Sequence, residues 1–242
     1  MIYLVLPAYN EEGDIGSLLE SAEKTASGLP EELSVIVVDD GSKDNTVEVV
    51  KKHSGSVPVK VVSHKKNLGL GQAILTGVKT VCSEASPDDI AVFMDADNTH
   101  SPEYINSMYD LIKNGSRDVV IASRYASGGK EIGVTPFRKL LSHGAAWVYG
   151  KAFSIPGLRD YTCGYRAYTI SILQKSLEKY GDDFITENGF AAPGEMLLKL
   201  RRLTDKFGEV PFELHYEKKV GKSKMPKFRT VIRNLVVLMK FR

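Results

Sequence analysis

The sequence predicts an α/β protein built on one mostly parallel sheet with helices on both faces. Along residues 1–124, short apolar segments alternate with segments whose apolar residues recur at helical spacing. Such alternation is typical of successive strand–helix units. The short segments are hydrophobic along their whole length rather than at every second residue, which indicates strands covered on both faces.

The first half of the chain supplies five of the predicted strands, and most are followed by residues typical of turns. These strands cover residues 1–6, 34–38, 57–63, 90–94 and 118–123. After residue 124 the strict alternation ends. There the sequence predicts a mobile loop over 127–130, a helix over 136–153, strands over 167–170 and 208–215, a helix over 195–203 and a last helix over 227–242.

Charge is distributed unevenly along the chain. The net charge is +2, but residues 218–242 hold nine Lys and Arg and no acid, which leaves 23 basic against 30 acidic residues in 1–217. The last helix is amphipathic and basic, a type that can lie in a membrane interface. We therefore expect a membrane surface, and not a nucleic acid, as its partner. The alternative is a helix packed on the domain with its basic side chains in water.

Cysteine content and hydropathy indicate the compartment. Two cysteines give no disulfide framework, and a reducing environment is the simplest interpretation. The first apolar segment is too short for a signal peptide, and no run approaches the ~20 apolar residues that span a bilayer. We expect a cytoplasmic protein that binds peripherally to the cytoplasmic face of a membrane.

Two carboxylates follow the fourth predicted strand. Asp95 and Asp97 stand one residue apart, and Ser101-Pro102-Glu103 then has the pattern of a helix start, with Ser101 as the N-cap. If strand geometry persisted, both carboxylates would project to the same side. Such a pair suits Mg²⁺ or Mn²⁺ bound together with substrate phosphates. The alternative is a pair of solvated turn aspartates.

Three other polar segments also follow predicted strands or precede helices. They are residues 7–12, 39–42 and 67–71, which read PAYNEE, DDGS and NLGLG. The carboxyl ends of parallel strands form one edge, where open α/β sheets bind ligands. We therefore expect these loops and the aspartate pair to form one site.

The order and spacing of these four segments resemble the family 2 glycosyltransferases of the GT-A fold. The resemblance implies a nucleoside diphosphate sugar as donor and a divalent metal on its diphosphate. It implies Asp95, Asp97 and Thr99 as metal ligands, although relatives usually have Gln at the position of Thr99. The implied donor-binding residues are Pro7, Tyr9, Glu11, Val38, Asp39, Asp40, Gly69, Asp95, Ala96 and Asp97.

Motifs in the second half are similar to those of polyprenyl-phosphate hexose synthases. They lie at residues 123–125, 138–142, 160–166, 195–197 and 221–224. This similarity implies that the acceptor is a polyprenyl phosphate bound by Arg124, Arg138, Ser142 and Lys218, and that Asp97, Arg124 and Arg138 are catalytic. Lys218 stands where relatives usually have Arg. GDP-mannose is the expected donor, with UDP-glucose as the alternative.

The resemblance also implies a division of the chain. Residues 1–226 form the catalytic domain, with a donor half over 1–124 and an acceptor half over 125–226. Residues 227–242 form the membrane-associating helix, which can also dock on a membrane-anchoring protein.

The chemistry expected of this site is a single displacement with inversion. A lipid phosphate is already ionised at neutral pH, so it needs positioning by cations more than deprotonation. A hydroxyl acceptor would instead need a carboxylate base, for which Asp160 and Glu187 are the candidates. A third possibility is a non-catalytic subunit that binds a nucleotide sugar. We also expect Trp147 in the core, with a lipid-facing anchor as the alternative, and Cys163 as a small buried residue.

Overall fold

The computed structural model describes residues 1–218 and 227–241. In chain order its strands are β1 (Ile2–Ala8), β2 (Leu33–Asp39), β3 (Val59–Ser63), β4 (Ile90–Phe93), β5 (Val119–Ser123), β6 (Lys130–Ile132), β7 (Arg166–Thr169), β8 (Phe207–Pro211) and β9 (Glu213–His215). Seven of these strands form the central sheet, in the order β3-β2-β1-β4-β7-β5-β8, and all but β7 run parallel. A second sheet contains two short parallel strands, β6 and β9.

Helices cover the central sheet, and every residue of β4 and β5 is buried. Because successive strand residues point to opposite faces, burial of all of them requires cover on both faces. The α/β class is therefore confirmed. The helices are α1 (Ile15–Ala26), α2 (Thr46–Lys52), α3 (Leu70–Glu84), α4 (Ile105–Lys113), α5 (Pro136–Phe153), α6 (Ile170–Tyr180), α7 (Ala192–Leu200) and α8 (Lys227–Phe241), with 3₁₀ turns at Pro102–Tyr104, Gly181–Phe184 and Tyr216–Lys218.

Several boundaries differ from the sequence prediction; the helix predicted over 195–203, for example, is Ala192–Leu200. The strand expected over 208–215 is two strands, because the chain leaves the central sheet at Phe212 and continues in the small sheet. The Phe212 ring is buried against the rings of His100, Tyr104 and Tyr165, which holds the chain at this bend. The loop expected over 127–130 ends one residue early, since Lys130 begins β6.

The antiparallel strand β7 brings the second half of the chain to the ligand edge. Arg166, its first residue, lies opposite Phe93 of β4 and Ile121 of β5. Because β7 runs against its neighbours, the segment before it arrives where β4 and β5 end. Residues 160–165 therefore lie beside the loops that follow those two strands.

Helices α5 and α8 pack together and leave apolar side chains in solvent. Leu140 and Trp147 on α5 are 69% and 66% exposed, and Met239 on α8 is 79% exposed. The prediction of Trp147 as a core residue is therefore wrong, whereas Cys163 is buried as predicted. We call the exposed set the outer apolar face; it consists of Leu140, Trp147, Ile232, Val236 and Met239. Among the described residues, no helix is long and apolar enough to cross a bilayer.

Candidate active site

The loops after β1 and β2 are joined into one wall of the site. The two strands are in register up to Ala8 and Asp39, which places Pro7 opposite Val38 at this edge. Asn10, in the left-handed region at φ 52°, accepts a hydrogen bond from the Lys43 backbone at 2.8 Å through its side-chain oxygen. Further bonds join the Asn10 backbone to Ser42, the Glu11 backbone to Thr46, and the Ser42 backbone to Asp39.

Asp40 fixes the loop that precedes α3. Its buried carboxylate accepts hydrogen bonds from the backbone N–H groups of Leu68 and Gly69, each at 2.8 Å, and from His64 Nδ1 at 2.8 Å. His64 also lies 2.9 Å from the Thr76 hydroxyl on α3. Asp40 thus holds the loop 67–69 in place. The sequence pattern did not single out His64 for this position, because a lone histidine has no distinctive spacing.

The aspartate pair lies in a loop beyond β4, not on the strand. β4 ends at Phe93, so Asp95 and Asp97 are not strand residues. Strand geometry therefore does not place their two carboxylates on the same side. Asp97 instead accepts hydrogen bonds from the Thr99 hydroxyl at 2.6 Å and from the Thr99 N–H at 3.3 Å. The Asp95 N–H donates to His100 Nδ1 at 3.4 Å. The N–H of His215 on β9 donates to the Thr99 carbonyl, which ties this loop to the small sheet.

Asp95 and Asp97 suit a divalent cation by chemistry and position. Both are partly exposed in a loop, and carboxylate oxygens are the ligands that Mg²⁺ and Mn²⁺ prefer. Thr99 is buried and its hydroxyl donates a hydrogen bond to Asp97, so in this arrangement it holds the Asp97 carboxylate in place. Within residues 1–218 and 227–241, no three His, Cys, Asp or Glu side chains are arranged to hold a metal. A bound cation would therefore need further ligands from a substrate or water.

Arg124 and Asp160 form a buried ion pair where β5 ends. The guanidinium donates from Nε to Asp160 Oδ2 at 2.7 Å and from Nη2 to Oδ1 at 2.8 Å. Burial raises the pKa of the fully buried Asp160, but Arg124 and nearby backbone N–H groups outweigh it, so its pKa lies below the usual 3.8. Arg124 is mostly shielded from solvent, which lowers its pKa, yet Asp160 holds that pKa well above the ordinary value. Both groups are therefore charged throughout the physiological pH range.

The other contacts of Arg124 reach Glu131 on β6, Ser142 on α5 and Thr162 before β7. Its Nη1 donates to Ser142 Oγ at 3.2 Å, and the Tyr125 hydroxyl lies 2.6 Å from the same oxygen. The Arg124 guanidinium also lies 5.0 Å from the centre of the Tyr125 ring, which in turn packs on the ring of His143. Tyr125 and Thr162, a further partner of Arg124 at 2.9 Å, were not among the predicted site residues.

The structure gives less information on the other two predicted acceptor residues, Arg138 and Lys218. Arg138 lies in the first turns of α5, but its side chain is outside the described part of the structure. Lys218 is exposed at the end of a 3₁₀ turn. The motif at residues 221–224 also lies outside the described residues. The structure thus brings together Arg124 and Ser142 from the predicted acceptor set.

The central sheet is mostly parallel, and the aspartate pair and the three other loops lie at the carboxyl ends of its strands. This arrangement is that of an α/β protein of the GT-A class. The model of the family described as Glycosyl transferase family 2 matches residues 3–181. The chain therefore belongs to glycosyltransferase family 2.

Individual relatives agree with this family. The chain is 35% identical over 244 residues to a dolichol-phosphate mannosyltransferase of Pyrococcus furiosus. The alignment covers 99% of this chain and 64% of the relative. This chain therefore spans less than two thirds of the length of that relative. It is 31% identical to an undecaprenyl-phosphate mannosyltransferase of Micrococcus luteus, over 93% of this chain and 87% of the relative.

A solved structure confirms the fold. Glucosyl-3-phosphoglycerate synthase from Mycobacterium tuberculosis, in complex with Mn²⁺ and UDP-glucose, superposes with a TM-score of 0.69. The match covers 100% of this chain and 78% of the synthase at 21% identity.

Proposed function

We propose that this protein transfers a hexose from a nucleoside diphosphate sugar to a polyprenyl phosphate at a membrane surface. One observation carries the proposal. The Arg124 guanidinium is held by the buried Asp160 and directed to Ser142, at the same sheet edge as Asp95 and Asp97. A fixed cation beside a hydroxyl is a suitable receptor for a phosphate. The two mannosyltransferase relatives are named for dolichol and undecaprenyl phosphate acceptors, which supports the same assignment.

On the donor side we favour mannose, supplied as GDP-mannose. Both relatives are named as mannosyltransferases. UDP-glucose is the alternative, since the structurally similar synthase binds it, and a third relative from Methanococcus voltae is named for UDP-N-acetylglucosamine. In this proposal the wall formed by loops 7–12 and 39–46, together with loop 67–71, holds the nucleoside.

Asp95 and Asp97 would hold the divalent cation of the donor site. When bound, Mg²⁺ or Mn²⁺ stabilises the negative charge that develops on the leaving diphosphate. The similar synthase contains Mn²⁺ with its nucleotide sugar. Thr99 keeps the Asp97 carboxylate in place through two hydrogen bonds.

The two candidate bases, Asp160 and Glu187, are both bonded to arginines, which favours a phosphate acceptor over a hydroxyl. A hydroxyl would need a base, but Asp160 is fully buried and bonded to Arg124, with a lowered pKa. Glu187, the other candidate base, accepts two hydrogen bonds from Arg233 at 2.8 and 2.7 Å. An ionised phosphate needs neither, and Arg124 can orient it for direct attack with inversion at the sugar carbon.

The outer apolar face gives the lipid acceptor a route to the site. A cleft lined by Tyr125, Ala146, Trp147 and Leu158 opens beside Arg124. Tryptophan is typical of the membrane–water interface, and exposed apolar patches with basic neighbours mark membrane contacts. We propose peripheral binding to the cytoplasmic face of a membrane through this face. A membrane-anchoring protein is the alternative occupant of the same face.

The test is a panel of radiolabelled GDP-mannose and UDP-glucose incubated with undecaprenyl or dolichyl phosphate, with and without Mn²⁺. We expect metal-dependent extraction of label into the organic phase with one donor strongly preferred. The proposal is wrong if label appears only as free sugar or remains in the donor, with none in the organic phase for either lipid phosphate. Flotation with lipid vesicles in the absence of other proteins distinguishes direct membrane binding from a protein anchor.

A further inference from the structure

The last helix is bonded to a segment that lies against the donor loop. Arg233 of α8 donates from Nε and Nη2 to the two carboxylate oxygens of Glu187, at 2.8 and 2.7 Å. Lys240 donates to the Thr186 hydroxyl at 3.2 Å. The Glu187 side chain is only 7% exposed, so α8 covers this carboxylate as well as binding it. Residues 186–188, which we call the bridge segment, thus make polar contacts with α8 through Thr186 and Glu187.

A buried carboxylate fixes the bridge segment from the other side. Glu195 on α7 is fully buried and accepts hydrogen bonds from the N–H groups of Thr186 and Glu187, each at 2.8 Å. It also accepts one from the Thr186 hydroxyl at 2.6 Å and one from Lys199 at 2.7 Å. The bridge segment is therefore held between α7 and α8, and its position depends on both.

The bridge segment touches the loop that precedes α3 at backbone distance. The Gly71 N–H donates to the Asn188 carbonyl at 3.2 Å. A Cβ atom on Gly69 would lie 2.2 Å from that carbonyl oxygen, and one on Gly71 would lie 1.7 Å from the Glu187 carbonyl oxygen. No side chain fits in this contact. Asp40 holds the other side of the same loop through the Gly69 N–H.

We propose that Glu187 and Arg233 are positioning residues for the donor site. The docked helix α8 holds the bridge segment against loop 67–71, so nucleotide affinity depends on the last helix although that helix does not form the nucleotide site. The identity of the ligand rests on the proposed function. The connection from α8 through the bridge segment to loop 67–71 rests on the contacts described above.

This link is compatible with membrane binding by the same helix. Arg233, Asn234 and Val237 face the body, where Asn234 accepts a hydrogen bond from the Tyr149 hydroxyl and Val237 is buried. Ile232, Val236 and Met239 face outward. A lipid surface can therefore bind the outward side of α8 while the pair with Glu187 remains intact, which connects the membrane contact to the donor site.

The experiment uses Glu187→Gln, Arg233→Gln and Arg233→Lys, with Arg117→Gln and Glu178→Gln as controls on exposed positions. Binding of GDP and UDP in the presence of Mn²⁺ is measured by calorimetry, and amide hydrogen exchange of residues 68–73 is measured without nucleotide. We expect the two Gln variants at the pair to raise the nucleotide Kd about three- to tenfold, as for loss of a partly exposed charged hydrogen-bond pair. Exchange in 68–73 should accelerate by a similar factor.

Arg233→Lys should fall between Arg233→Gln and the parent, because it keeps the charge but loses the two-point contact. If the pair contributes only to overall stability, its loss should accelerate exchange throughout the chain and not mainly in residues 68–73. That result would overturn the inference. Unchanged exchange in 68–73 for both Gln variants also overturns it. If the parent protein binds neither nucleotide, the proposed function fails, and the exchange data still decide whether α8 positions the loop.

Discussion

Replacing Arg124 by Gln should reverse the way in which Asp160 contributes to stability as pH changes. In the parent protein the pKa of Asp160 is lowered below 3.8 by Arg124. Its contribution is therefore fully present above pH ~4 and is lost as pH falls through the folded-state pKa. Without the Arg124 side chain the carboxylate loses its counter-charge, and we expect burial to outweigh the remaining backbone N–H donors and to raise its pKa.

The sign of the pH dependence then changes. A group whose folded-state pKa lies above its unfolded value contributes stability below the unfolded pKa and loses it as pH rises. The Asp160 side chain is 0% and the Arg124 side chain 12% exposed, so the full cost of a broken buried pair applies. That cost is about 3–5 kcal/mol. A domain of ordinary stability has roughly 5–15 kcal/mol, so the variant should still fold at mildly acidic pH.

The assay is urea unfolding of the parent, Arg124→Gln and the exposed control Arg117→Gln at several pH values between 4 and 8. We expect Arg124→Gln to lose stability relative to the parent as pH rises, whereas Arg117→Gln should follow the parent. The reasoning is refuted if Arg124→Gln shows the parent's pH profile with a constant offset, because Asp160 would then not titrate in response to loss of its partner.

Three further outcomes follow from the site. Asp97→Ala should reduce transfer by at least 10²-fold with an unchanged circular dichroism spectrum, since it removes a proposed metal ligand; full activity would contradict this. Thr99→Val should weaken Mn²⁺ binding about tenfold and Thr99→Ser should not, because Ser keeps the hydroxyl that donates to Asp97 and Val lacks it, while both keep the backbone N–H; equal affinities for the two variants would show that the hydroxyl is not used. A Trp147→Ser, Met239→Ser double variant should reduce vesicle binding at least tenfold, with donor binding as the control; unchanged flotation would exclude this face as the membrane contact.

Much of the donor side could be predicted from the sequence because its signals are local. Each apolar run ends in polar residues, and parallel strands place those ends at one edge without any further information. That is why Asp39, Asp95 and the loop 67–71 all lie at or beyond the carboxyl ends of neighbouring parallel strands. The helix start at Ser101 was confirmed for the same reason: its side chain accepts a hydrogen bond from the Glu103 N–H, and Pro102 begins the turn.

The acceptor side depends on pairings between distant parts of the chain. Nothing in the apolar pattern of 166–169 distinguishes an antiparallel strand from a parallel one, yet that direction brings Asp160 beneath Arg124. The spacing of α8 shows which residues share a face, but not which face contacts the body. Only the structure shows that Arg233 contacts Glu187 on the body and that Met239 is exposed. The prediction of Trp147 as a core residue was wrong for the same reason, since the spacing of α5 does not show which of its faces contacts the body.

The most direct test of the central claim compares two acceptors of identical chain length, a polyprenyl phosphate and the corresponding free polyprenol, with radiolabelled GDP-mannose or UDP-glucose and Mn²⁺. Because Asp160 and Glu187 are bonded to arginines and no base is required for a phosphate, we expect label in the organic phase with the phosphate and none above background with the alcohol. Comparable transfer to the free polyprenol would show that the protein activates a hydroxyl, and it would contradict the account.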